Sequence, residues 1–150
     1  MLIEEEGNLV TGNYEVFCHQ VNCYKIMGAG IAKQIRDHYP EVYEEYEKRE
    51  YTFLGAIDWI HTHDGRICVN MYAQKDYGTG SCKTDYIGFA ACLTELEDYL
   101  TAVPKDYKVA FPYRIGCGLA GGDWKVVKAL LEDFAYRIKQ PVYIVYLPNI

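Results

Sequence analysis

The apolar residues of this 150-residue chain occur in short clusters separated by longer amphipathic segments. Clusters with the β-branched and aromatic character of strands lie at 2–10, 16–21, 56–60, 66–72, 108–112 and 142–147. Segments in which apolar residues recur every three or four positions, as on one face of a helix, lie at 30–38, 41–50, 85–100 and 123–139. Because strands and helices alternate, the pattern predicts an α/β fold, a three-layer sandwich in which helices flank a mixed central sheet.

Local signals indicate how some of these segments begin, end and connect. The dipeptide Asp64-Gly65 lies between two predicted strands and is typical of a β-hairpin, which would supply the antiparallel part of the sheet. Pro40 ends one helical segment, because proline has no N–H for the helix and clashes with the preceding turn. Asp85 and Asp123 stand where side chains commonly cap helices. We expect the last helix to bury an apolar face formed by Val126, Val127, Leu130, Leu131 and Phe134.

Two glycine-rich segments, residues 27–30 and 116–122, each follow a predicted strand and precede a predicted helix. In an open α/β sheet, such loops lie at the carboxyl edge, where ligands bind. Glycine lets a ligand approach the backbone, and the unpaired N–H groups at a helix start attract anions. Asn22, which ends the strand before the first of these loops, is placed to hold a hydroxyl-rich group. The pattern therefore predicts a cleft for a ligand with phosphate and sugar groups.

Composition and motif spacing argue against several classes of protein. The first glycine segment lacks the third glycine of G-x-G-x-x-G, and no G-K-[ST] follows either segment, which disfavours a P-loop NTPase. The net charge of −6 disfavours a general nucleic-acid-binding protein. Cysteines and histidines lack zinc-site spacing, so we expect no metal. Without an apolar run of about 20 residues or a signal-peptide pattern, we expect a cytoplasmic protein with no membrane association, forming one domain over residues 1–150.

Three stretches of the chain resemble a known family. They are Gly7-Asn8-Leu9-Val10, then His19 to Cys23 with Met27 to Ala32, and finally Gly116 to Trp124. In this order and spacing they resemble a macro domain, and the resemblance covers essentially the whole chain. It is similar to the branch that contains the terminal ADP-ribose protein glycohydrolases and the yeast-type ADP-ribose-1″-phosphatases.

The resemblance implies that ADP-ribose, or the ADP-ribosyl group of a macromolecule, binds in the cleft, with no cofactor. Asn8 stands where macro domains commonly have an aspartate that accepts the adenine amino group, and its uncharged carbonyl implies weaker adenine selection. Asn22 matches the asparagine beside the distal ribose. The two loops match those around the diphosphate. The implied ligand-binding residues are Asn8, Leu9, Asn22, Gly28, Ala29, Gly30, Ile31, Gly116, Cys117, Gly118, Leu119, Ala120 and Gly121.

The sequence leaves the question of catalysis open. Ala120 stands where the glycohydrolases of this branch have an aspartate, and losing that carboxylate removes a group that could move a proton. Lys75 lies near the place of the family's lysine, which can form an adduct with the sugar carbon. His19 is the alternative candidate, as the acid or base of a phosphatase, alone or paired with the Cys117 thiol. Binding of ADP-ribose is therefore the first interpretation and hydrolysis of ADP-ribose derivatives the second. A nucleotide-binding protein of another kind, such as a dehydrogenase, comes third.

Overall fold

A computed structural model describes residues 1–28, 30–75 and 82–148 of the chain. The elements in chain order are β1 (Leu2–Glu6), β2 (Val16–Asn22), α1 (Gly30–His38), α2 (Pro40–Lys48), β3 (Ile57–His61), β4 (Ile67–Gln74), α3 (Tyr86–Leu100), β5 (Val109–Pro112), α4 (Trp124–Arg137) and β6 (Val142–Tyr146). No helix of the described part is both long and apolar enough to cross a membrane.

The six strands form one sheet in the order β1-β6-β5-β2-β4-β3. All neighbouring strands are parallel except β3 and β4, which pair antiparallel through the predicted hairpin. The hairpin prediction is therefore confirmed. Since β1, β6, β5, β2 and β4 run in the same direction, their carboxyl ends meet at one edge of the sheet. Both glycine segments leave the sheet at that edge.

Alternation along β2 shows why the sheet is covered on both faces. Phe17 packs into a cluster with Ile35 of α1 and Val42 of α2, whereas Cys18 points to the opposite face and joins the cluster of α3 and α4. The second cluster includes Phe111 of β5, whose ring meets that of Phe134 edge to face at 5.9 Å. The mixed three-layer α/β sandwich expected from the sequence is thus confirmed.

Two details of the predicted elements are wrong. The first strand ends at Glu6 and does not extend to residue 10, because Asn8 folds the chain into a turn. Its side-chain Oδ1 accepts hydrogen bonds from the N–H groups of Val10 and Thr11, at 2.9 and 3.1 Å. Val126 does not belong to the buried face of α4, since 38% of its surface is exposed while the neighbouring Val127 is fully buried.

Candidate functional site

A long cleft follows the carboxyl edge of the sheet between the two glycine segments. It consists of two adjoining cavities of about 960 and 610 Å³ that share Gly30, Ile31, Pro112 and Tyr113 in their walls. The larger cavity, which we call the Asn8 cavity, extends past Asn8 towards the end of β6. The smaller one, the Asn22 cavity, reaches the end of β2. Each cavity falls in the size range of sites that hold cofactors and drug-sized ligands.

The first glycine segment opens α1 towards the cleft. Gly30 is the first residue of α1 and has a φ of +58°, a conformation that side chains with a Cβ rarely adopt. A Cβ placed on Gly28 would meet no atom within 4 Å, so this backbone is open on its cleft side. Gly28, Gly30 and Ile31 all line the cleft. Ala29, predicted as a contact, lies outside the described residues.

The second glycine segment folds into a compact loop whose backbone is partly unpaired. Gly116 and Gly121 have positive φ of 74° and 72°. Two bonds brace the loop, from the N–H of Gly121 to the Gly118 carbonyl and from the N–H of Gly122 to the Gly116 carbonyl, at 3.0 and 2.9 Å. Within the described residues, three successive N–H groups of the loop donate to no protein acceptor; they belong to Gly118, Leu119 and Ala120. Consecutive unpaired N–H groups are the usual backbone site for an anion.

A network of polar side chains lies under this second loop, and sequence reasoning did not identify it. The Gln20 Nε2 donates to Gln74 Oε1 at 2.7 Å and to Thr84 Oγ1 at 3.0 Å, and the Thr84 hydroxyl donates to the Gly116 carbonyl at 2.6 Å. The Gln20 Oε1 is buried, and a Cβ on Gly116 would lie 2.7 Å from it. The loop is therefore seated on β2 and β4 through contacts that only glycine at position 116 permits. The sequence signal that could have indicated this network is the presence of a polar residue, Gln20 or Gln74, near the end of each of two buried strands.

Asn22 lies in the wall of its cavity, but its side chain mainly shapes the loop that follows. Its Oδ1 accepts from the N–H of Tyr24 at 2.9 Å and from the Tyr46 hydroxyl at 3.0 Å. Its Nδ2 donates to the Ile26 carbonyl at 2.8 Å. One of the two Nδ2 hydrogens remains for another partner. The sequence placed Asn22 correctly at the cleft, whereas its part in organising residues 22–26 depends on the fold.

Asn8 also differs from the expectation that its carbonyl would accept a bond from an adenine amino group. Both lone pairs of Oδ1 are already taken by backbone N–H groups in the turn, and backbone donors fix which end of the amide is oxygen. The part of the amide that remains is Nδ2, which can only donate. The same cavity has the exposed carboxylates of Glu4 and Glu6 in its wall, with Leu9 buried beneath.

His19 occupies the interior of the sheet and lines neither cavity. Its Nε2 lies 2.5 Å from Asn70 Oδ1, and Asn70 in turn donates to Asp58 Oδ2 at 3.0 Å. Burial lowers the pKa of His19 to about 4, although the contact with Asn70 and the charge of Asp58 oppose that shift. The ring is therefore neutral near pH 7 and lies behind the cleft wall, a placement that favours Lys75 over His19 as the catalytic candidate.

Cys117 is a buried thiol, and its Sγ lies 3.4 Å from the Ile115 carbonyl. Burial raises its pKa, with the nearby Arg114 guanidinium acting in the opposite direction. Because His19 pairs with Asn70 and Cys117 with Ile115, the two do not form the nucleophile pair considered from the sequence. A thiol with a raised pKa is a poor nucleophile at neutral pH.

Lys75 directly follows the last residue of β4 and has an exposed side chain. Its carbonyl accepts a hydrogen bond from the N–H of Cys23 at 3.2 Å, which ties it to the loop after Asn22. Ala120 lines the Asn22 cavity, and its carbonyl accepts from the N–H of Lys83 at 2.6 Å. Gly121 is exposed at the end of the loop, outside the lining of the two cavities. Residues 78–81, which the sequence places in the loop after Lys75, lie outside the described residues.

Comparison with known proteins identifies the family. The macrodomain of Mycobacterium tuberculosis DarG superimposes with a TM-score of 0.81 and 26% identity, and the match covers 99% of both chains. This chain is a macro domain. The family expected from the sequence is thereby confirmed, although no protein-family model matches the chain.

Two further relatives extend the likeness of this macro domain. It is 26% identical to the DNA ADP-ribosyl glycohydrolase of Mycobacterium tuberculosis over 99% of its own length, but it spans only 43% of that protein. The structure of Thermosipho africanus DarTG in complex with ADP-ribose has a TM-score of 0.81 at 20% identity, over 98% of this chain and 41% of the other. At 20% identity, the similarity to Thermosipho africanus DarTG shows a shared fold only.

Proposed function

We propose that this macro domain binds ADP-ribose along the cleft between its two glycine segments. The diphosphate would lie against the loop of residues 116–121 and the start of α1. The adenosine would occupy the Asn8 cavity and the distal ribose the Asn22 cavity. The observation that carries the proposal is the run of three unpaired N–H groups at Gly118, Leu119 and Ala120, residues that line the Asn22 cavity.

One comparison and the shape of the cleft support this ligand. The DarTG protein of Thermosipho africanus has been solved with ADP-ribose, and its fold matches this chain over 98% of its length. Two adjoining cavities that share Gly30, at the start of α1, also fit a ligand in which an adenosine and a ribose flank a diphosphate. A ligand with only one half, such as AMP, would fill one cavity and leave the other empty.

The test is a calorimetric titration with ADP-ribose, accompanied by thermal unfolding. ADP-ribose should bind and raise the melting temperature, because a ligand that binds only the folded state stabilises it by mass action. AMP should bind more weakly because it leaves the Asn22 cavity unfilled. Absence of both heat and thermal shift at millimolar ADP-ribose would rule the proposal out, and NAD binding more tightly than ADP-ribose would favour a dehydrogenase-like nucleotide site.

Hydrolysis is the second candidate function, and the position of Lys75 favours it. The lysine is exposed and joined through Cys23 to the loop beside the Asn22 cavity, where the distal ribose is proposed to lie. The relative that covers 99% of this chain is a DNA ADP-ribosyl glycohydrolase. We therefore propose ADP-ribose linked to DNA as the derivative to test first, with protein-linked ADP-ribose and ADP-ribose-1″-phosphate as the other substrates. Ala120 supplies no carboxylate to assist the reaction.

We expect slow or undetectable turnover by the lysine–aspartate route in the unmodified protein, and a gain in the variant Ala120→Asp. A general acid or base typically contributes about a hundred- to ten-thousandfold in rate. Ala120 lines the Asn22 cavity, so the new carboxylate would stand beside the distal ribose. The measurement is release of free ADP-ribose from each of the three substrates.

The matched control for this gain is the double variant Ala120→Asp with Lys75→Ala. The gain should disappear in it if Lys75 takes part. A gain that survives the loss of Lys75 would remove the lysine from the mechanism. Rapid turnover by the unmodified protein that is unchanged in Lys75→Ala would also exclude the lysine from the mechanism. Another group would then have to catalyse the reaction.

Base selection provides a prediction at the other end of the cleft. Because Asn8 offers only Nδ2 donors, the unmodified protein should bind the hypoxanthine analogue of ADP-ribose at least as tightly as ADP-ribose itself; the analogue has an oxygen acceptor in place of the amino group. In Asn8→Asp, one carboxylate oxygen can keep the turn and the other can accept the adenine amino group. The preference should then move towards ADP-ribose by about tenfold to a hundredfold, as expected for a hydrogen bond to a charged group.

Competition titrations with the two ligands measure this preference in both proteins. Asn8→Ser, which can keep an oxygen in the turn without presenting a carboxylate, is the control and should show no move towards adenine. A strong preference of the unmodified protein for adenine, unchanged in Asn8→Asp, would contradict this assignment of Asn8.

A further inference from the structure

We propose that Tyr51 and Phe53 form a stacking surface for the bases of a single-stranded nucleic acid whose ADP-ribosyl group occupies the cleft. The inference rests on the proposed ADP-ribose site and adds to it the surface that receives the linked strand. We call it the Tyr51–Phe53 surface. It is distinct from the two cavities, because neither aromatic residue lines them.

The position of this surface follows from the contacts of Cys23. Cys23 comes directly after Asn22, which lines the cavity proposed for the distal ribose. Its N–H donates to the Lys75 carbonyl at 3.2 Å, and its own carbonyl accepts from the Thr52 hydroxyl at 2.9 Å. Thr52 is the residue between Tyr51 and Phe53. The two aromatic residues therefore flank a direct contact with the loop at the cleft end where a linked macromolecule would leave.

Both rings are exposed although the backbone beneath them is firmly held. Tyr51 is 79% and Phe53 60% exposed. Arg49 anchors the segment: its Nε donates to the Tyr51 carbonyl at 2.8 Å and its Nη1 to the Ile57 carbonyl at 3.0 Å. The same guanidinium forms an ion pair with Asp58, at 2.5 Å. These bonds hold the segment in the conformation that presents both aromatic rings to solvent, where a ligand could contact them.

Arg49 also connects the surface to the interior of the protein. Its partner Asp58 accepts hydrogen bonds from the Tyr72 hydroxyl at 2.6 Å and from Asn70 at 3.0 Å. Asn70 in turn contacts the buried His19. The segment that presents the aromatic rings is thus fixed to the centre of the sheet by a chain of polar contacts. Bases that stack on it would meet a preorganised surface, which reduces the entropy lost on binding.

The chemistry of the surface favours a single-stranded nucleic acid as the occupant. Stacked aromatic side chains bind unpaired bases of any sequence, and nearby cations bind the phosphates. Two lysines that could supply such cations belong to segments that contact the cleft loop or the helix before the surface. The Lys25 ammonium donates to the Glu47 carbonyl in the helix that leads into the surface, and Lys75 is joined to Thr52 through Cys23. A net charge of −6 leaves the protein without general affinity for nucleic acid, so the linked ADP-ribosyl group would provide the anchor.

The experiment compares the affinities of three ligands, measured by competition against a fluorescent ADP-ribose probe. They are ADP-ribose, a short single-stranded oligonucleotide carrying ADP-ribose on one base, and a peptide carrying ADP-ribose. The gel mobility of the oligonucleotide after each titration establishes that it is intact. The modified oligonucleotide should bind more tightly than ADP-ribose, and Tyr51→Ala with Phe53→Ala should remove roughly tenfold of its affinity. The affinity for ADP-ribose itself should stay unchanged.

Tyr136→Ala is the matched control, because Tyr136 is 90% exposed on α4 and belongs to neither the cleft nor the surface. It should alter none of the three affinities. Salt dependence supplies a second readout, the slope of the logarithm of the binding constant against the logarithm of the salt concentration. Two lysine–phosphate contacts should make this slope more negative for the oligonucleotide than for ADP-ribose, by roughly 1.4. Lys25→Gln should reduce that slope by roughly 0.7, whereas Lys105→Gln, on an exposed turn, should not change it.

The outcomes separate the surface from the proposed function. Equal affinities for ADP-ribose and for the modified oligonucleotide would overturn the surface while leaving the ADP-ribose site in place. A larger gain for the modified peptide than for the oligonucleotide, lost in the double aromatic variant, would overturn the nucleic acid as occupant in favour of a protein. Failure of ADP-ribose to bind at all would overturn the proposed function and this inference with it.

Discussion

Replacing Gly118 with valine is expected to abolish ADP-ribose binding while the protein remains folded. A Cβ at this position would meet no atom within 4 Å, and the φ of Gly118 is not in the left-handed range, so the fold can accept the side chain. The branched carbons would stand at the start of the three unpaired N–H groups, where the diphosphate is proposed to lie. Because the ligand would lose several charge-assisted hydrogen bonds at once, we expect its affinity to fall by more than about a hundredfold.

Calorimetry with ADP-ribose measures the loss, and urea unfolding without ligand measures the stability of the variant. Gly118→Ala provides a graded control and should bind with intermediate affinity, because one methyl group is easier to accommodate than three carbons. Ala129→Val adds similar bulk at an exposed position of α4 outside the cleft and should leave binding unchanged. Parental affinity in a folded Gly118→Val protein would place the diphosphate elsewhere.

Much of the fold can be predicted from local pattern alone. The bounds of α1, residues 30–38, follow from glycine at its start and from Ile31 and Ile35 at helical spacing. Asp85 and Asp123 cap α3 and α4 as predicted, accepting from the N–H groups of Gly88 and Lys125. These features depend on residues a few positions apart, which is why a single sequence reveals them.

The parts that sequence reasoning missed depend on contacts between distant residues. Leu9 and Val10 are apolar residues of the kind found in strands. The turn formed by Asn8 shows that they do not belong to a strand. The seat of the second glycine loop joins Gln20 to Thr84, which is 64 residues further along. Asn22 has the residue type and position of a ligand contact, yet most of its side-chain hydrogen bonds join residues of the loop that follows it. The spacing of apolar residues along the chain gives no information about such hydrogen-bond partners.

Arg66 provides the largest expected effect on stability, and its role also follows from long-range contacts. Its guanidinium donates to the carbonyls of Tyr14 at 2.8 Å, Val10 at 2.5 Å and Leu9 at 2.9 Å, which lie 52 to 57 residues away. It also lies over the ring of Phe17, with the central carbon 4.0 Å from the ring centroid. One side chain therefore holds the segment that follows the Asn8 turn against the sheet.

We expect Arg66→Ala to lower the free energy of unfolding by about 3 kcal/mol. Hydrogen bonds to charged groups are each worth about 1.5–3 kcal/mol, but bonds from one guanidinium do not add fully. Arg66→Lys should lose roughly two thirds of the same amount, because an ammonium cannot reach three separate carbonyls as the planar fork does. Because the segment beside the Asn8 cavity would loosen, both variants should also bind ADP-ribose more weakly under conditions in which they are fully folded.

Arg36→Ala is the matched control. The Arg36 guanidinium also lies over an aromatic ring, that of Tyr43 at 3.8 Å, but on the exposed side of α1. Exposed cation–π contacts are worth about 0.5–1 kcal/mol, so its loss should be several times smaller. Urea unfolding of the four proteins at one pH gives the comparison. If Arg66→Lys is as stable as the parent, the positive charge and not the forked hydrogen bonding holds residues 9–14 in place. If Arg66→Ala and Arg36→Ala lose equal amounts, the carbonyl contacts contribute nothing beyond the ring contact, and the Asn8 side of the cleft is held by its own turn.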